Sequence, residues 1–316
     1  MTSLSVIVPV GRLDFLRPLL KSIPTGGALE SLILSLDSSV DREEADQIVH
    51  CSDLQGPAIT ICSQQVVAAS GASSTRNRGL EHADTEYCVF LDADDEIAPN
   101  AFEIVRSRIK ELDRADAIYG NLANISSKGD WLSDDLVDRA PNCDDANALW
   151  IAFREGLSQL GAIYARTDYV RAIGGFNENL SSWTDRDFQY RLLLGGGRVC
   201  FVPDILMYWR HGHSGRLSSH AQTALDRHKR YIGDAWPRYL WDPVYISYRA
   251  PVIDLLYLRG FTCTLVTSSY RTILTPGMLS HFETNRCIAD ISPFSDTEKA
   301  AVFDLLFEGA LVPSSC

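Results

Sequence analysis

The chain is poor in positive charge. Its 29 lysines and arginines face 41 aspartates and glutamates, for a net charge of −12 and a pI near 5.0. A surface this acidic gains nothing from counterion release on a phosphate backbone, so no nucleic-acid partner is expected. Anionic membrane surfaces are disfavoured for the same reason. No apolar run approaches the roughly 18 to 20 residues of a membrane span, so no transmembrane segment is expected. The start, MTSLSVIVPVGR, lacks a basic segment and a small-residue cleavage site, which argues against a signal peptide. The eight cysteines (51, 62, 88, 143, 200, 263, 287 and 316) contain no CxxC pair and no histidine spacing suited to zinc. Cys62, Cys88 and Cys200 lie in apolar runs, where a reduced thiol is a small hydrophobe. A reducing, cytoplasmic location is the expectation, and the sequons at Asn124 and Asn179 then read as chance matches.

What is there is the composition of an ordinary globular protein, 46% hydrophobic and 22% charged over 316 residues, enough for two domains at roughly 150 residues each or for one with a large extension. Four short apolar runs read as buried strands: residues 4–8, 32–36, 59–62 and 87–91. Their hydrophobicity is continuous rather than alternating, as parallel strands covered on both faces require. Helix-like stretches separate them. Phe15, Leu16, Leu19, Leu20 and Ile23 form a stripe behind Asp14, a cap candidate. Residues 73–83 open on Ser73, Ser74 and Thr75, which also suit caps, and Phe102, Val105, Ile109 and Leu112 follow Pro99 at helical spacing. The first 112 residues therefore predict an open, largely parallel α/β sheet.

Beyond it, residues 117–122 predict a strand and residues 126–145 an acidic loop facing water or lying over a site. Residues 146–194 read as helical with a strand-like interruption at 161–165, and residues 199–202 as a further strand. The tail beyond about residue 220 differs in character. Ala221, Ala224, Leu225, His228 and Ile232 suggest a helix, and Ser295-Asp296-Thr297-Glu298 is a capping box.

Ligands of open α/β sheets bind past the carboxyl ends of the strands, which here places weight on Pro9, Asp37 and Asp92-Ala93-Asp94-Asp95. Closely spaced carboxylates repel one another unless a cation or hydrogen-bond donors offset them. A hard dication such as Mg²⁺ takes one or two carboxylates and leaves its other positions to water and phosphates. Read alone, the acidic run also fits a solvated turn. Three further segments carry chemistry: Arg76 near a helix start, the turn Gly174-Gly175-Phe176-Asn177-Glu178 leading to Thr184-Asp185-Arg186-Asp187, and His211 and His213 after the last strand.

Taken in order, these segments resemble the family 2 glycosyltransferases of the GT-A fold. Ser5-Val6-Ile7-Val8-Pro9 is similar to that family's opening strand, and Leu36-Asp37-Ser38-Ser39-Val40-Asp41 to its VDDGSTD segment, one residue shorter. Arg76-Asn77-Arg78-Gly79-Leu80 matches ARNxGL, Phe90-Leu91-Asp92-Ala93-Asp94-Asp95 matches FLDADD, Gly174–Glu178 matches GGFDE, and Thr184–Asp187 stands where the family has EDxD. The likeness runs from about residue 4 to 215. It implies a mostly parallel central sheet flanked by helices, with residues 1–219 as the transferase domain (1–115 the nucleotide half, 116–219 the acceptor half) and 220–316 as a helical C-terminal extension.

The resemblance also implies roles. Pro9 and Asp37 would line the nucleoside pocket, with Arg76 and Ala93 beside the nucleotide. Asp92 would meet the ribose or the metal, and Asp94 would hold Mn²⁺ or Mg²⁺ on the diphosphate, with His211 a weaker ligand candidate. Asp185 would be the general base of an inverting displacement. The implied donor is a nucleoside-diphosphate sugar, a UDP-sugar by default, and the acceptor a hydroxyl compound of open class. Two departures stand out. Gly11-Arg12 replaces an aromatic-Asn pair after the first strand, and Thr184 replaces a glutamate before the base. The second leaves a non-catalytic sugar-nucleotide-binding or scaffold protein of the same fold as the alternative. A dehalogenase-type phosphatase would want its DxD on the first strand. A dinucleotide oxidoreductase would want G-x-G-x-x-G there, and a nucleotidyltransferase a Gly-rich basic loop; none is present. The extension is expected to complete the acceptor pocket, cover the sheet, or join copies into a homo-oligomer.

Overall fold

A computed structural model describes residues 2–24, 29–52, 54–63, 71–136, 156–178, 184–195 and 197–212. These lie in one unit of the chain, residues 1–179 with 184–215. The helical extension at 220–316, the acidic stretch beyond residue 136 and His213 fall outside the described residues.

The elements in chain order are β1 (Leu4–Val10), α1 (Leu16–Ser22), β2 (Ser31–Leu36), α2 (Arg42–His50), β3 (Ala58–Ser63), α3 (Ala72–Glu81), β4 (Tyr87–Phe90), β5 (Glu96–Ile97), α4 (Ala101–Glu111), β6 (Ala117–Ile125), β7 (Trp131–Asp135), a 3₁₀ turn at Leu160–Ala162, β8 (Ile163–Arg166), α5 (Thr167–Ala172), α6 (Thr184–Leu194) and β9 (Val199–Arg210). Among the described residues one sheet joins nine strands in the order β3-β2-β1-β4-β8-β6-β9-β5, with β7 added on β6. The first four strands pair in parallel, as their unbroken apolar runs predicted. Val6, Val8, Leu34 and Val89 have no exposed surface, and each such side chain contributes on the order of 1.5–3 kcal/mol on burial. Cys62, Cys88 and Cys200 are buried, as expected of small hydrophobes.

The second half mixes directions. β8 runs antiparallel to both β4 and β6, β5 antiparallel to β9, and β6 parallel to β9. Several local expectations change here. β9 does not stop at residue 202 but continues to Arg210. Its register against β6 shifts between Gly120 and Leu122, and Pro203 and Asp204 are absorbed in the irregularity. There the Asn121 side-chain amide donates to the Pro203 carbonyl at 3.0 Å. A proline tolerated at a bulge is what ladder geometry allows. Within residues 126–136 the expected loop contains β7, an exposed strand closing a hairpin on β6. Within the described part of residues 146–194 the strand-like interruption expected at 161–165 is β8, preceded by the 3₁₀ turn rather than by helix and followed by the six-residue α5 and by α6.

Helix starts also differ from the reading of the sequence. α1 is capped at Phe15, with no side-chain cap bond, so Asp14 is not its cap. α3 starts one residue before Ser73 with Gly71 at the cap position, which leaves Ser73, Ser74 and Thr75 inside its first turn. α4 is capped at Asn100, so Pro99 precedes the helix. α2 was not anticipated, although Asp41-x-x-Glu44 is a capping pattern and the Asp41 carboxylate accepts from the Glu44 amide at 3.0 Å. Among the described residues no helix is long and apolar enough to cross a membrane.

Candidate active site

Strands β1, β2 and β4 deliver their carboxyl ends to one edge of the sheet, where the order turns from β2 on one side of β1 to β4 on the other. Such a switch point opens a crevice. Pro9 lies half-buried in β1 opposite Ser35. Asp37 follows β2 directly. Its carboxylate accepts from the Ser39 amide at 3.1 Å and the Ser39 hydroxyl at 2.9 Å, an Asx turn that orients the side chain. Arg78 on α3 braces the same corner, donating to Ser35 Oγ at 3.2 Å and to the Leu36 carbonyl at 2.5 Å. α3 approaches β1 and β2 this closely because residue 79 is glycine: a Cβ there would lie 2.4 Å from Ile7 Cγ2.

After β4 the chain turns sharply, the Asp95 amide donating to the Asp92 carbonyl at 3.0 Å. The turn gathers the carboxylates of Asp92, Asp94 and Asp95, with one oxygen of each within 4.8 Å of the others. Their surroundings separate them. Asp95 is buried, and its Oδ1 accepts from the Arg210 backbone amide at 2.9 Å, which ties the turn to the end of β9. Asp92 and Asp94 are half-buried. Asp92 Oδ1 accepts from Arg76 Nη2 at 2.7 Å. Arg12 Nη2 stands 3.9 Å from Asp94 Oδ2. Three hard oxygen donors on one turn, two of them accessible, fit Mg²⁺ or Mn²⁺ better than a softer ion. Ala93 sits half-buried between them.

Arg76 is not placed as a helix-start anion site. It occupies the second turn of α3, is buried, and its guanidinium lies 5.1 Å from the ring centroid of Phe176. One arm holds Asp92, and the other reaches to 3.5 Å from the Thr184 hydroxyl at the start of α6. The acidic turn and the start of α6 are thus one side chain apart. Beneath them Phe90, Phe176 and Phe188 pack together, Phe176 stacked on Phe188 at 4.4 Å and edge-on to Phe90 at 4.8 Å. The Gly174–Glu178 turn is clamped by Asn77, which receives the Phe176 amide at 2.7 Å and donates to the Phe176 carbonyl at 2.8 Å. Gly175 has φ +61° and a Cβ there would meet Asn77 Oδ1 at 2.6 Å, so the turn requires glycine on both counts.

α6 carries two carboxylates in its first turn, and the structure distinguishes them. Asp187 is 1% exposed and pairs with Arg191 at 2.6 Å; Arg191 in turn donates to the carbonyls of Ile173 at 2.7 Å and Gly175 at 2.5 Å. This pair locks α6 to the Gly-Gly-Phe turn. Asp185 is half-buried and next to the residue that Arg76 reaches. Tyr190 on the same helix is buried, and desolvation first, with Asp185 adding to it and Arg186 opposing, pushes its phenol up to about 12.

His211 does not join the carboxylates. Its ring nitrogen Nε2 bonds Asn124 Oδ1 at 2.7 Å, its amide donates to the Ile125 carbonyl, and its ring packs edge-on to Trp209 at 4.3 Å. The group that could hold an ion contains no histidine among the described residues. What the sequence reading missed is Arg210. It is 2% exposed, is ion-paired with Glu96, and donates to the backbone of Asp94, Ser126 and Ser127. Nothing in the pattern Tyr208-Trp209-Arg210-His211 separates it from an exposed arginine.

Residues 5–158 match the family model described as Glycosyl transferase family 2. That match ends before Gly174–Glu178 and Thr184–Asp187. Over 113 residues the chain is 34% identical to the Uncharacterized glycosyltransferase YibD of Escherichia coli (strain K12), covering 35% of this chain and 31% of that protein. The chain spans about a third or less of the length of the curated relatives it matches. Among solved structures it is similar to S. aureus TarS 1-349 in complex with UDP-GlcNAc, at TM-score 0.61 and 16% identity over 97% of this chain and 91% of that one. It is also similar to GalNAc-T7 with UDP, GalNAc and Mn²⁺, at TM-score 0.54 and 14% identity over 81% of this chain and 51% of that one. These likenesses show the fold. With its strand order and its acidic turn after β4, the chain has the GT-A fold, and its residues 5–158 are similar to glycosyl transferase family 2.

Proposed function

We propose that the protein is a metal-dependent, inverting glycosyltransferase that moves a sugar from a nucleoside-diphosphate sugar to an acceptor hydroxyl. The observation that carries this reading is Arg76, which bridges Asp92 on the acidic turn and Thr184 at the start of α6. A single displacement needs the leaving diphosphate and the base on opposite sides of one sugar, hence two separate segments of chain held a short distance apart.

In this reading Pro9 and Asp37 form the wall of the nucleoside pocket, and Ala93 lies against the ribose. Asp92 and Asp94 hold Mn²⁺ or Mg²⁺, which when bound supplies a Lewis acid for the charge growing on the leaving diphosphate. Asp185 accepts the proton of the acceptor hydroxyl as that oxygen bonds the anomeric carbon. The bond from that carbon to the phosphate oxygen breaks, and its electron pair leaves with the diphosphate. Asp187 takes no part in proton transfer, because its carboxylate is buried against Arg191.

The donor is a UDP-sugar by default, which the TarS complexes with UDP and UDP-GlcNAc support. The test is a thermal-shift panel of UDP-, GDP- and dTDP-sugars, each with and without Mn²⁺. A metal-dependent rise in melting temperature with one nucleotide is expected, and no shift with any of them would end the reading. Asp94→Ala should remove the metal dependence of nucleotide binding, and an unchanged Mn²⁺ affinity by calorimetry would contradict the assigned ligand. Arg76→Lys keeps the charge but has one donor head where two arms are used, so kcat for transfer is expected to fall about tenfold, the worth of one charge-assisted hydrogen bond. Unaltered steady-state kinetics would remove Arg76 from the site.

A further inference from the structure

Arg12 stands where the resemblance led us to expect an aromatic-Asn pair, and the reading above gives it no task. It follows β1, the strand paired with β4 through Ile7 and Phe90, so it emerges beside the turn that carries Asp92 and Asp94. Its Nη2 lies 3.9 Å from Asp94 Oδ2 and its Nε 3.9 Å from Asp14 Oδ2. The guanidinium rests over Phe15 at 5.5 Å, and Arg210 approaches the same ring at 5.2 Å. The Arg12 side chain is 31% exposed, and that of Asp94 20%.

Three features define what such a group can do. The ion pair is long and reaches solvent, so it is weak and exchanges partners readily. The guanidinium is held over an aromatic face rather than fully hydrated, which favours contact with a second anion. It is also the cation beside a carboxylate that the proposed function gives to the metal. A dication at Asp94 therefore competes with Arg12 for the carboxylate, and the released fork then faces the diphosphate that the metal brings.

We propose that Arg12 is a phosphate-binding residue that exchanges between two anions, Asp94 in the nucleotide-free site and the donor's diphosphate in the loaded one. Arg12 competes with the metal for Asp94 and cooperates with it on the nucleotide. This inference rests on the metal-dependent nucleotide site proposed above.

The two roles have opposite signs, which a merely structural arginine would not produce. Arg12→Met retains the contact with Phe15 and removes the charge. Calorimetry with MnCl₂ alone should show tighter binding than wild type, by up to about fivefold, the range of an exposed ion pair. With UDP in the presence of Mn²⁺, and GDP and dTDP run alongside, the same variant should bind about tenfold more weakly, as loss of a charge-assisted phosphate contact implies. Arg12→Lys should retain wild-type Mn²⁺ affinity and bind the nucleotide with intermediate strength. Mn²⁺ and nucleotide affinities that fall together in Arg12→Met would overturn the exchange, as would a nucleotide affinity equal to wild type. Wild-type protein that binds no nucleoside diphosphate with Mn²⁺ would instead refute the proposed function itself.

Discussion

Asp185→Asn is expected to slow sugar transfer by about 10²–10⁴-fold, the usual contribution of a positioned general base, while nucleotide binding stays within about twofold of wild type. The expectation follows from position. Asp185 is half-buried in the first turn of α6, next to the hydroxyl that Arg76 reaches from the acidic turn, and it is not held in the pair that buries Asp187. Amide for carboxylate keeps the volume and removes the proton acceptor. Single-turnover transfer, measured beside nucleotide affinity by calorimetry, separates the chemical step from binding. Equal transfer rates in variant and wild type would dismiss the assigned base. Nucleotide binding without donor consumption by wild-type protein, whatever the acceptor, would favour the non-catalytic alternative that Thr184 suggests.

Arg191→Met is expected to be the most damaging substitution to stability. Arg191 and Asp187 are 2% and 1% exposed, and the guanidinium also holds the Ile173 and Gly175 carbonyls. Removing one partner of a buried pair leaves the other charge uncompensated, which costs about 3–5 kcal/mol. The double variant Asp187→Leu with Arg191→Met should recover part of that loss, because no charge is then stranded. Urea midpoints of the two single variants and the double variant, read as a cycle, test this. A loss below about 1 kcal/mol in Arg191→Met, the range of an exposed pair, would mean the pair is not buried in solution. Function should follow structure here, since the same arginine fixes the Gly-Gly-Phe turn against α6 and so sets where Asp185 stands.

The parallel half of the sheet was legible because three of its four strands, β1, β2 and β4, are buried on both faces. Leu4 to Val8, Leu32 to Leu36 and Tyr87 to Leu91 need apolar side chains on every residue or nearly so, and that requirement is visible without coordinates. The second half was harder to read. β7 is exposed throughout, its Trp131-Leu132 followed only by polar and acidic residues with no alternation, and β9 carries Pro203 and Asp204 through an irregularity that looks like a strand end in one dimension. Helix starts were displaced by a residue or two: α1, α3 and α4 start behind Phe15, Gly71 and Asn100 with no side-chain cap bond, so tertiary packing overrode the local capping preference there.

For the site, the order and residue types of the motifs pointed to the carboxylates, to Arg76 and to Asp185 through a resemblance, with no view of which ones meet. By itself the sequence determined the likeness to a family, the parallel core and the inventory of acids at its edge, because hydrophobic runs and motif spacing are properties of neighbours along the chain. Only the tertiary structure decided which acid is buried against which arginine. It placed Asp187 with Arg191, Asp95 with the end of β9, Asp92 with Arg76 and Asp94 beside Arg12, and it set His211 on Asn124, apart from the carboxylates. Charge pairing depends on distance in space: apart from Asp187 and Arg191, which are neighbours one turn apart on α6, these partners come from separate segments of the chain.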